Sequence, residues 1–243
     1  MQKILISFLK DIVSLCIYLV ICPFRSNKNA VLVYHSVDNI DLCRNPSKIN
    51  VRPELFEKHM RHIAKNKERF LVSFDDGFES VYSYAFPVIK KYKIRAVLFI
   101  STDFIDKTPR AASPLTWEQI REMAAQGFEL GSHTISHRYL AGLAEDDIYR
   151  EAAVSKKRIE DMTGNKIDLF AYPYGNTRAF NEKTAAILKN SGYKRAYINM
   201  MGMDNSDKNP FEIKRIRIYG TDNMIRFKMK ISGAYNWVDM LTL

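Results

Sequence analysis

Phe70-Leu71-Val72-Ser73-Phe74-Asp75-Asp76-Gly77 reads as a buried strand cut off by a sharp turn: five mostly apolar residues, then two carboxylates and a glycine. Runs of the same kind recur at residues 30–34, 95–100, 128–131, 169–172, 194–198 and 213–218. Between them lie stretches with helical spacing. Glu54 to Lys65 follows Pro53 and repeats Leu55, Phe56, Met60 and Ile63 on one side. Glu118 to Gln126 stops at Gly127, and Ala179 to Ser191 stops at Gly192. Asp146 to Thr163 sets Ile148, Ala152, Ile159 and Met162 on a stripe and stops at Gly164. Short strands alternating with helices predict an α/β fold on a parallel sheet. About seven such units in one domain favour an irregular (β/α) barrel over an open doubly wound sheet.

In either architecture the chemistry sits beyond the carboxyl ends of the strands. Those ends carry His35, then Asp75 and Asp76, Ser101 to Asp103, His133 and His137, Tyr172 to Asn176, and finally Arg215 and Arg217. Asp75 and Asp76 side by side repel unless a cation or proton intervenes, although an Asp-Asp-Gly surface turn is the plain alternative. Gly131-Ser132-His133-Thr134-Ile135-Ser136-His137 offers two imidazoles four residues apart, flanked by small hydroxylated residues rather than apolar ones. That setting favours metal ligation over satisfied core histidines. Two histidines and one carboxylate form a ligand set suited to catalytic zinc, because a coordination position stays open for water and substrate. The second carboxylate is then placed to act as a base.

The chain has 243 residues, 47% of them hydrophobic, enough for one large domain with a substantial core. No internal repeat and no Pro/Ser/Gly-rich linker divides it. The formal charge of +10 suits nucleic acid, an anionic membrane or an acidic glycan equally. The basic residues are spread along the chain without a nucleic-acid motif, so a nucleic-acid partner is not expected. Cys16, Cys22 and Cys43 are odd in number and lack the paired spacing of a zinc-thiolate site, which argues against a disulfide framework.

From Ile4 to Phe24 the sequence is mostly apolar, but Lys10 and Asp11 interrupt it and leave a run too short for a comfortable membrane span. No small-x-small cleavage pattern follows, and Arg25 and Lys28 come directly after. Residues 1–29 are therefore expected to form an apolar N-terminal helix that meets a membrane surface through residues 4–24, ahead of a helix packed on the domain's own surface. The cytoplasmic face is favoured over an exported or envelope-anchored position, and residues 30–243 form the catalytic domain.

Ser73–Gly77, His133–His137 and Phe170–Gly175, in that order, resemble the polysaccharide deacetylase family, the NodB-homology domain of carbohydrate esterase family four. The likeness spans roughly residues 30–220. It implies a hydrolase that removes acetyl groups from N-acetylated sugars by attack of metal-activated water. Position by position it implies that Asp75 is the general base and that Asp76, His133 and His137 bind one divalent ion. Zinc comes first, with cobalt, nickel or manganese as alternatives. Tyr174 would offer its backbone N–H to the oxyanion. The expected partner is an N-acetylated glycan.

Two departures stand out. The family often carries an arginine just after the phenylalanine of the third motif, where this chain has Phe170-Ala171-Tyr172-Pro173-Tyr174-Gly175. Arg215 is the substitute candidate, against a surface ion pair. The family's usual general acid is a histidine near the C-terminus, yet His137 is the last of five histidines. His35, in Val33-Tyr34-His35-Ser36-Val37, is the replacement candidate, against a structural strand-end role. That opening, with Tyr172-Pro173-Tyr174-Gly175, looks like the poly-N-acetylglucosamine deacetylase branch. The missing elements also motivate a rival, a deacetylase-like domain that binds glycan or metal with little turnover. A phosphoryl-transfer enzyme built on Asp75 is weaker still, because no Gly-rich phosphate loop is present.

Overall fold

A computed structural model of the chain describes residues 2–21, 28–40, 48–105 and 113–241. Helix α1 (Gln2–Ile21) precedes strand β1 (Ala30–Tyr34). The short pair β2 (Ser36–Val37) and β3 (Asn50–Val51), then helix α2 (Pro53–Ile63), lead to β4 (Phe70–Phe74). A π-helical turn (Val81–Ala85) runs into α3 (Phe86–Tyr92), followed by β5 (Arg95–Ile100), the short α4 (Thr102–Ile105) and α5 (Trp117–Ala125). The chain continues through β6 (Glu129–Ser132), α6 (Glu145–Thr163), β7 (Leu169–Ala171), α7 (Glu182–Asn190) and β8 (Arg195–Tyr197). It ends with β9 (Ile216–Arg217), α8 (Met224–Ile231) and a 3₁₀ turn (Val238–Leu241).

Seven strands form one parallel sheet in the order β8-β7-β6-β5-β4-β1-β9. The run expected as a single strand over 213–218 is split. Ile213 bridges to Tyr197 of β8, whereas Ile216 and Arg217 pair with Leu32 and Val33 of β1. One segment thus touches both margins of the sheet and curls it into the expected irregular barrel. Between these contacts Lys214 N–H is held by the Asn205 side chain and Arg215 N–H by the Met200 carbonyl, so neither joins a ladder.

Alternation along the strands separates two cores. Leu32, Tyr34, Val72, Phe74, Leu98 and Ile100 face the helices in the larger one, where Phe56, Met60, Ile120, Ile148 and Ile159 meet them fully buried. Val31, Val97, Phe99, Ala171, Tyr197 and Ile213 fill the barrel. Each fully buried Val, Leu, Ile, Phe or Met side chain among them contributes about 1.5–3 kcal/mol by leaving water. Asp75 follows Leu71 and Ser73 on the inner side of β4, so the period of two carries it over the barrel mouth.

Helix ends follow local chemistry that composition alone underuses. Thr116 and Gln119 form a capping box on α5, and Asn181 with Thr184 does the same on α7, which starts later than the expected Ala179. Gly164 closes α6 at φ +72°. Helices α3 and α8 were not anticipated.

Helix α1 packs against the C-terminal region with its polar side inward. Asp11 accepts hydrogen bonds from Arg226 and Tyr235, Trp237 Nε1 donates to Ser14 Oγ at 3.2 Å, and Ile17 and Tyr18 join the large core. Ile6, Leu9, Ile12, Val13, Leu15, Leu19 and Val20 are exposed. None of the described helices is long and apolar enough to cross a membrane. Cys16 is a free, exposed thiol, while Cys22, Cys43 and the end of the apolar run at 22–24 lie outside the described residues.

Candidate active site

Of the residues singled out at the strand ends, Asp75, Asp76, His133, His137 and Arg215 come together, whereas Tyr172 is buried in the helix-side core and Arg217 pairs with Asp239. Asp76 Oδ1 lies 3.6 Å from His133 Nε2 and 3.4 Å from His137 Nε2. All three ligand atoms fall within 4.8 Å of one another. Zinc bonds of roughly 2.0–2.1 Å at tetrahedral angles separate ligand atoms by about 3.3 Å, so the spacing fits one ion. Asp76 Oδ1 is moreover buried without a hydrogen-bond partner among the described residues, which a cation would satisfy.

Each ligand is aimed by its surroundings. His133 is buried, and its Nδ1 meets the Ala171 carbonyl at 2.7 Å, which fixes the tautomer and leaves Nε2 toward Asp76. Burial pushes the His133 imidazole down to about 4, against the pull of Asp75, so it is neutral and able to ligate at neutral pH. Asp76, Thr134, His137 and Tyr174 hold φ between 58° and 76°. Such left-handed non-glycine residues cost about 1–3 kcal/mol each and persist where the surroundings over-determine them. Here Ser101 N–H donates to the Asp76 carbonyl, His137 N–H to Thr134 Oγ1, and Asn199 Nδ2 to the Tyr174 carbonyl. Gly77 turns at φ +105°, and at Gly175 an added Cβ would stand 2.4 Å from Asn199 N, so only glycine fits this close approach.

Arg215 is fully buried inside the barrel and grips Asp75 with both nitrogens, Nη1 to Oδ1 at 2.7 Å and Nη2 to Oδ2 at 2.8 Å. It also donates to Ser73 Oγ at 3.2 Å and lies over the Phe99 ring. The surface-pair alternative for this arginine is excluded. Burial alone would raise the Asp75 pKa; the guanidinium, with His133 and His35 adding to the field, overrides it and holds the carboxyl at about 2. His35 is half-buried at the end of β1 and near enough to Asp75 to contribute to that field. Tyr174 N–H has no hydrogen bond to another described residue, so it is free to donate.

Other contributors were not anticipated. The Glu151 carboxylate accepts from Ile135 N–H at 2.8 Å, Ser136 N–H at 3.0 Å and the Ser136 hydroxyl, and so clamps the loop between the two histidines. The one available signal was an acid interrupting the buried stripe of α6. Tyr139 stacks on Tyr174 at 3.9 Å, and Tyr174 packs edge-on to His137 at 4.8 Å, giving the site an aromatic wall. On the other side Phe78 and Phe104, with Ser101 and Asp103 from the anticipated strand end, line a cavity of about 240 Å³ that reaches Asp76 and His137.

The chain is similar to known proteins in sequence and in fold. The Bacillus subtilis protein YxkH is 30% identical over 79% of this chain and 71% of its own length. A poly-β-1,6-N-acetyl-D-glucosamine N-deacetylase of Staphylococcus aureus is 26% identical over 63% of this chain, which spans about half of that longer relative, 55% of it. In fold, the chain superposes on the Streptococcus pyogenes deacetylase PplD, solved with acetate, at a TM-score of 0.73 and 22% identity, over 82% of this chain and 96% of that one. The polysaccharide deacetylase family model matches residues 62–196, more than half of the sequence, and the chain belongs to that family.

Proposed function

We propose that this protein is a metal-dependent N-deacetylase of a polysaccharide or surface-glycan precursor, with Asp75 as base and Asp76, His133 and His137 as metal ligands. The observation that carries the reading is the buried Asp75–Arg215 pair standing beside the convergent ligand triad. Zinc suits two imidazoles and one carboxylate best. When bound there, a divalent ion would polarise the amide carbonyl and make water more acidic. Asp75, kept ionised by Arg215, takes the proton of the attacking water. Tyr174 N–H donates to the oxygen that gains charge as the carbonyl carbon becomes tetrahedral. His35 delivers a proton to the sugar nitrogen as the C–N bond breaks, releasing acetate and a free amine. A binding domain without turnover loses half its motive, since Arg215 supplies the missing arginine contact.

The staphylococcal relative makes poly-β-1,6-N-acetylglucosamine the first substrate to try, beside chitin oligomers, peptidoglycan and O-acetylated sugars. Acetate release from at least one N-acetylated glycan by metal-loaded protein is expected. Release from none, or from O-acetyl esters alone, rejects the reading.

The role of His35 has its own signature. His35→Ala should slow amide hydrolysis far more than hydrolysis of an activated aryl acetate, because an aryl oxide departs without a proton and an amine does not. Equal slowing of both would make His35 a structural residue.

The exposed apolar face of α1 supports a further assignment, contact with a membrane surface, the basic residues after it favouring the cytoplasmic leaflet.

A further inference from the structure

We propose that the cavity between α1 and the carboxyl end of β9 is a subsite for the phosphate group of an anionic membrane lipid. The proposal rests on the membrane reading of α1 and adds the lipid chemistry to it.

The cavity measures about 390 Å³ and shares no residue with the metal triad. Residues of α1, of β9 and the loop after it, of α8 and of the C-terminal segment line it, together with Lys48. Lys10, Lys48, Arg217, Arg226 and Lys230 face it against two carboxylates, Asp11 and Asp222. Three of these cations are engaged within the fold. Arg226 pairs with Asp11, and Lys230, itself buried, donates to Asp222 and to the Arg217 carbonyl. Arg217 Nη2 reaches Asp239 at 2.6 Å.

What is left over is an incomplete anion cradle. Lys10 and Lys48 line the cavity and have no ion pair among the described residues. Lys48 is held at φ 58°, and its carbonyl accepts from Gly220 N–H at 2.8 Å, which ties it to the loop after β9. Lys10 and Lys48 reach the cavity from separate elements, and each offers three ammonium donors to an oxyanion with several acceptor oxygens. The source of that oxyanion follows from α1. The helix that supplies Lys10 turns Ile6, Leu9 and Val13 to solvent. An interfacial helix places such residues among acyl chains and its cations at headgroup depth.

The test is sedimentation of the full chain with vesicles of phosphatidylcholine alone or mixed with phosphatidylglycerol, and inorganic phosphate as competitor. Wild type should prefer the anionic vesicles, and inorganic phosphate should weaken that preference. Lys10→Gln/Lys48→Gln should lose about fivefold per lysine of it while still binding through the apolar face. Lys65→Gln/Lys189→Gln removes equal charge at the opposite end of the sheet and should leave the preference intact. Equal loss in both double variants would mean diffuse charge and overturn the subsite. Phosphate binding that depends on Lys10 and Lys48 without any vesicle preference would overturn the lipid source. Binding of wild type to neither vesicle, or unchanged binding by Leu9→Ser/Val13→Ser, would instead remove the membrane reading beneath it.

Discussion

Asp75→Asn is expected to lower deacetylation by about 10²–10⁴-fold while the protein keeps its divalent ion. The amide is nearly isosteric with the carboxylate and still accepts a hydrogen bond from Arg215, but it cannot take a proton from water. Metal content measured beside turnover separates this outcome from collapse of the site. Near-normal turnover would exclude Asp75 as the base.

Arg215→Met should destabilise the fold by about 3–5 kcal/mol, because it strips a fully buried carboxylate of its only bidentate partner. Chemical denaturation measures it. The pair's contribution also has a pH signature. Asp75 titrates at about 2 in the fold against 3.8 ordinarily, a depressed value. Its stabilisation is therefore present above about pH 4 and is lost as the pH falls through 2. The cost of Arg215→Met should shrink over that window. Activity should fall as well, since without the guanidinium burial drives Asp75 toward its protonated form, which is no base. Adding Asp75→Asn to Arg215→Met should recover stability without recovering turnover. A positioning arginine gives that split; one that merely fills space does not.

The parts of this site that could be read from the sequence are the local ones. Phe70 to Gly77 and Gly131 to His137 each complete their message within a few residues: a strand, its stop, and ligands at the stop. Arg215 was legible as a strand-end residue, but its grip on Asp75 spans 140 positions and depends on barrel closure. The sequence 213–218 hides that closure, because its apolar alternation looks like one strand although it serves two neighbours. Glu151 showed only as an acid interrupting the stripe of α6, for a related reason: a charged residue on a helix reads as solvated until a loop from another strand folds onto it. In α1 the apolar count was plain, yet which side meets the domain is set by Asp11 and Ser14, whose partners lie more than 200 residues away.

Metal content and acetate release, measured on the same samples of wild type and His133→Ala, test the central claim most directly. The ligand triad predicts about one ion per wild-type chain, most of it lost in the variant together with acetate release from an N-acetylated glycan. Equal metal in the two proteins, or undiminished acetate release from metal-free protein, would contradict it.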